Sequence, residues 1–203
     1  MSRIPVARAL HDIGLATWFG GTLMGAVGLN GAAASVADPA AHSRVATAGW
    51  ARWAPVQGAA IGVHLIGGAL LVREKSQRIA AQKGVAAWTL TKAGLTGAAL
   101  LATMGSGLAG AKLMKAGDFP AAGATDPLPE TPPELGRAQK QLKALQWVIP
   151  ALTGAILYSN AVMGEQQRPV EVAKGAIARL GQTAHAAASH PRHAAALASH
   201  LLA

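Results

Sequence analysis

Histidine is the one residue type in this chain whose placement could build a metal or haem site. The 203 residues include no cysteine, which removes disulfides, thiolate metal sites, iron–sulfur clusters and cysteine nucleophiles. His11 and His64 fall in or at apolar stretches, while His185, His190, His193 and His200 stand in the tail AHAAASHPRHAAALASHLLA. Their spacing around Pro191 does not repeat an i, i+4 pair, so the tail reads as an Ala-rich helix or loose segment, not a metal site. No GxSxG, Walker A, dinucleotide fingerprint or HExxH pattern occurs, and no catalytic residue is assigned.

His64 is the candidate cofactor-binding residue. A polar group inside a lipid-facing helix must turn toward the bundle or a cavity, where it serves as ligand, proton relay or hydrogen-bond partner. A bis-histidine haem needs both ligands at one depth on facing helices. If His11 opens the first helix, it levels with the end of the next helix near Val72 and misses His64 by roughly 13 Å. The reading therefore assigns no cofactor, with haem or quinone left open. Lys92, inside the third stretch, can snorkel to the headgroups, and Asp12 can pair with it. Further carboxylates at depth are missing, which disfavours energy-coupled transport.

The elements that must hold these residues are apolar. Hydrophobic residues make up 51 % of the chain and charged ones 13 %, about half the usual soluble share. Four stretches, 11–34, 54–72, 85–111 and 145–164, each reach the ~20 residues that cross ~30 Å of hydrocarbon. Their few polar positions (Thr17, Thr22, Gln57, Thr96, Thr103) are scattered, whereas a soluble amphipathic helix gathers them on one face. The expectation is an all-α integral membrane four-helix bundle of two antiparallel hairpins over 1–164. An outer loop spans 112–144, and 165–203 forms an Ala/His-rich cytoplasmic tail. The first stretch exceeds a signal-peptide core, although the alanines at 32–34 offer a cleavage site.

Charge supports the same reading. The 18 Lys and Arg against 9 Asp and Glu give a formal net charge of +9. These residues sit between apolar stretches and not among aromatics, so they report topology and no nucleic-acid partner. The short loop REKSQRIAAQK carries the densest basic run and belongs inside, with both termini. Trp50, Trp53, Trp88 and Trp147 fall near span ends and read as interface anchors, while Trp18 lies deeper as a packing residue.

Glycines supply close-packing positions: Gly21 and Gly25, Gly58 and Gly62, and Gly97 and Gly105. Gly14-Leu15 with Met24-Gly25 and Gly94-Leu95 with Met104-Gly105 hint at a hairpin duplication. In the outer loop, DFPAAGATDPLPETPPE reads as irregular. ELGRAQKQLKALQ after Pro133 reads as a helix leading into the fourth span.

The opening RALHDIGLATWFGGTLMGAVGLN, with His11, Trp18 and Gly20-Gly21, resembles the first helix of small four-span bacterial membrane proteins of the DoxX-like and copper-resistance-D-like groups. The Ala/Gly/Arg-rich style also resembles actinobacterial proteins, including small spans attached to respiratory supercomplexes. The resemblance implies a multi-pass protein of the bacterial inner membrane. The first expectation is a non-catalytic accessory subunit of a larger, respiratory assembly, with lipid and other membrane subunits as partners. The alternative is a redox- or quinone-associated protein with His64 at its site, and small-solute transport ranks below both.

Overall fold

The structure, a computed structural model, describes residues 4–74, 76, 83–166 and 182. The tail histidines and most of the REKSQRIAAQK loop lie outside the described residues. The chain divides into two compact units, Met1–Tyr158 and Ser159–Ala203, and the contacts below belong to the first.

The described residues form an all-α fold with four long helical segments. The first comprises α1 (Ile4–Met24), a π turn (Gly25–Leu29) and α2 (Asn30–Ala34), continuous through helical dihedrals at Met24 and Asn30. α3 (Ala41–Glu74), α4 (Lys83–Ala116) and α5 (Pro133–Gln166) contain 34 residues each, about 51 Å at 1.5 Å per residue. The only bridge among the described residues is an isolated antiparallel one, Ala121 with Pro127.

Local chemistry sets the boundaries. Gly117 takes φ 71°, the left-handed conformation that only glycine adopts cheaply, and its N–H returns to the Met114 carbonyl to stop α4. Pro133 opens α5, where its missing N–H costs nothing, and Glu134 meets the positive end of the helix dipole. Asp38 accepts the Ala40 N–H at 3.0 Å and so turns the chain into α3.

α3 and α4 are both long and apolar enough to cross a membrane. Yet only 17 % and 6 % of their most apolar windows are buried. On α4, Leu101, Met104 and Leu108 form an outward stripe, each more than 60 % exposed. The interior is small by comparison. Leu15 and Trp18 of α1 pack with Ala99 of α4 and Ile149 and Ile156 of α5.

The segment between α4 and α5 is irregular but tightly packed. Phe119 and Ala121 bury against Ala109, Leu113 and Ala138, and Ala124 joins Ala33 and Ala46. Thr131 donates to the Pro120 carbonyl at 2.6 Å and accepts the Leu128 N–H at 2.9 Å. Buried His42 places one ring nitrogen 2.9 Å from the Ala121 carbonyl and the other 2.7 Å from that of Val36, tying both loops to α3. Arg44 pairs with Asp118 and Lys143 with Asp126 at the surface. This end is the capped end, and the opposite one, where α1 starts and α3 stops, is the N-terminal end.

Candidate functional site

Two polar constellations lie between the helices. The first is toward the N-terminal end. His11 and His64 stack with ring centroids 4.2 Å apart, and Trp18 meets His64 edge-on at 6.2 Å. His64 Nδ1 donates to the His11 carbonyl at 3.0 Å, and His11 Nδ1 faces the Asp12 carboxylate at 2.9 Å. The two rings are therefore level, which corrects the axial offset expected from the sequence. The reason is where the first helix starts. α1 begins at Ile4, so His11 lies two turns inside it, opposite the stretch from His64 to Gly67 on α3.

Close backbone approach makes that level contact possible. A Cβ on Gly14 would lie 2.5 Å from the Ala60 carbonyl oxygen, and one on Gly67 would lie 2.4 Å from the His11 nitrogen. Neither glycine was singled out from the sequence as a close-packing position, although each falls on the face carrying a histidine. Trans-axial haem ligation by this pair is excluded by geometry. Two axial rings must stand on opposite sides of an iron, and these stack against each other. Among the described residues no group of three or more His, Cys, Asp or Glu converges on a point.

The second constellation surrounds a cavity of about 340 Å³ in the capped half, walled by α2, α3, α4, α5 and residues of α1. No charged residue lines it. Trp50 donates its indole N–H to Asn30 Oδ1 at 3.1 Å, and Asn30 Nδ2 donates to Gln146 Oε1 at 2.7 Å. Trp53 donates to Gln57 Oε1 at 3.0 Å, one turn on along α3. The hydroxyls of Thr22 and Thr103 donate to carbonyls of their own helices, and Thr103 also accepts the Trp18 N–H at 3.3 Å. Asn30 and Gln146 went unnoticed in the sequence because one closes an apolar stretch and the other opens one.

The remaining sequence candidates separate by position. A Cβ on Gly21 would lie 2.1 Å from the Trp53 ring, and one on Gly25 would lie 2.2 Å from that of Trp50. Trp50 and Trp53 thus turn inward onto α1, while Trp88 and Trp147 face outward at 36 % and 52 % exposure. Gly105 makes ordinary contact with Leu145, and Gly58, Gly62 and Gly97 have nothing within 4 Å of a built Cβ. His64 does not line the cavity.

Comparison with family models, with curated proteins and with solved structures gives no match. The likeness of the first helix to the DoxX-like and copper-resistance-D-like groups has no family match to extend it.

Proposed function

We propose that the chain is a four-pass protein of the bacterial inner membrane, a bundle of two antiparallel hairpins with both termini cytoplasmic. Its role is that of a non-catalytic accessory subunit in a larger membrane assembly, of which a respiratory complex is the first candidate. The observation that carries this reading is the outward-facing apolar surface. α3 and α4 have the length and hydropathy to cross a bilayer, yet 17 % and 6 % of their apolar windows are buried. A core helix of a water-soluble protein hides such a surface, whereas a membrane helix presents it to lipid or to another subunit.

The subunit role draws on the glycines without neighbours. Gly62 and Gly97 leave backbone open on α3 and α4, and small residues of this kind let a second helix approach closely in lipid. The redox- or quinone-associated alternative places its ligand in the cavity of the capped half, away from His64.

Fractionation tests the membrane reading. The chain should sediment with membranes at high salt and enter solution only with detergent. A folded species in a detergent-free supernatant would overturn it. Solubilisation in mild detergent followed by mass spectrometry tests the subunit role. Stoichiometric co-purifying membrane proteins are expected, and a chain that elutes alone would refute that role. An absorbance spectrum with a Soret or quinone band would favour the alternative.

A further inference from the structure

The cavity of the capped half has a polarity that its hydrogen bonds dictate. An indole N–H can only donate. Trp50 therefore fixes Asn30 Oδ1 as acceptor, which turns Asn30 Nδ2 toward Gln146 and makes Gln146 Oε1 an acceptor in turn. Its Nε2 is left as a donor with no hydrogen-bond partner among the described residues. Trp53 acts in the same way on Gln57, occupying Oε1 and leaving Nε2 unpaired among the described residues. Two carboxamide N–H₂ groups thus stand at the cavity wall beside the hydroxyls of Ser106 and Thr125, while the threonine protons at Thr22, Thr47 and Thr103 are already bonded to backbone carbonyls.

The complement of such a wall is specific in its chemistry. With no charged lining residue, an ion would be buried without a partner, at prohibitive cost. A bare hydrocarbon would leave the amide donors desolvated and unbonded. We propose that this cavity binds an uncharged lipophilic molecule whose polar end presents carbonyl oxygens to Gln57 and Gln146, with its apolar body against the indoles of Trp50 and Trp53. A quinone ring and the ester end of a neutral glyceride share this chemistry. A volume of about 340 Å³ lies at the low end of ligand pockets, suited to the polar end of a lipid more than to a whole one. The proposal depends on the membrane reading only for its supply of ligand, and it holds whether or not the chain belongs to an assembly.

Glycines on the cavity wall offer a direct test. Gly107 lines the cavity and a Cβ there would meet nothing within 4 Å, so Gly107→Leu puts bulk at the cavity wall. Gly20 is equally open but does not line the cavity, so Gly20→Leu is the control. The full-length protein in detergent micelles, or in buffer if it proves soluble, is titrated with 2-methyl-1,4-naphthoquinone, with dioctanoylglycerol and with 2-methylnaphthalene. Bound adducts are counted by native mass spectrometry.

Saturable binding of one or both carbonyl compounds is expected. Gly107→Leu and Gln146→Leu should weaken it by about tenfold or more, and Gly20→Leu should leave it unchanged. Binding of the naphthoquinone alone identifies a quinone source, binding of the glycerol ester alone a glyceride source, and binding of both the shared carbonyl chemistry. Equal binding of 2-methylnaphthalene and the naphthoquinone would overturn the proposal. So would binding of neither carbonyl compound, or binding that Gly107→Leu does not reduce. A chain that proves water-soluble yet binds as expected would remove the membrane reading and leave this one standing.

Discussion

The seam between α1 and α3 is built in two ways. In its N-terminal half, glycine lets backbone touch backbone, with Gly14 against Ala60 and His64 and Gly67 against Ala7 and His11. In its capped half, Gly21 and Gly25 face the rings of Trp53 and Trp50. The same residue type thus admits a neighbouring main chain in one place and a large side chain in the other. Only in the second does an indole fill the glycine notch. The cavity lies there, with both tryptophans in its wall. Glycine spacing alone therefore does not reveal how closely two helices meet.

That contrast can be broken by substitution. The largest effect is expected for Gly67→Leu, because the atoms it would strike are His11 and Ala7 backbone, which cannot swing aside. Its cost should reach or exceed the upper end of the usual ~1–3 kcal/mol for overpacking. Thermal unfolding in detergent should show little folded material. A melting curve matching that of Gly58→Leu would erase the distinction between the halves.

Trp53→Ala comes next, at about 3 kcal/mol, from lost ring contacts and the freed Gln57 carboxamide. Gly21→Ala should cost about 1–2 kcal/mol, since the ring it meets can move. In the Trp53→Ala background that cost should vanish. A double-mutant cycle reads the coupling directly, and simple additivity would show that the ring does not occupy the glycine notch. Gly58→Ala has open space and should stabilise by about 0.5–1 kcal/mol through helix propensity alone. Arg44→Ala removes an exposed pair with Asp118 and should change the melting free energy by less than about 1 kcal/mol.

The helical elements were largely legible in the sequence, because uncharged runs of about 20 residues leave few other options. Pro133 followed by Glu134 also marked the start of α5 correctly. Rotation about the helix axes was not legible. Gly58 and Gly62 carry the same GxxxG spacing as Gly21 and Gly25, yet a Cβ on either would meet nothing within 4 Å, and Gly58 borders the cavity. Spacing places two glycines on one face without saying which face turns inward. The relation of His11 to His64 was misread because the apolar stretch opens at His11, whereas the helix that contains it begins at Ile4. The segment from Phe119 to Thr131 is irregular as its prolines suggest. Its burial rests on contacts among residues distant in sequence, which composition does not encode.

The π turn at Gly25–Leu29 has a consequence for alignment along the first helical segment. A wide turn inserts one residue into the spiral and rotates everything beyond it by about 100° relative to an unbroken helix. Asn30 follows directly after it and points its amide between Trp50 and Gln146. Deleting a single residue from GAVGL would close the wide turn into an ordinary one and keep that amide on its face, whereas straightening the full-length stretch into a plain α-helix would swing it toward the periphery. The extra residue, invisible to any count of apolar residues, is thus absorbed within the turn, and the hydrogen bonds from Trp50 through Asn30 to Gln146 depend on that absorption.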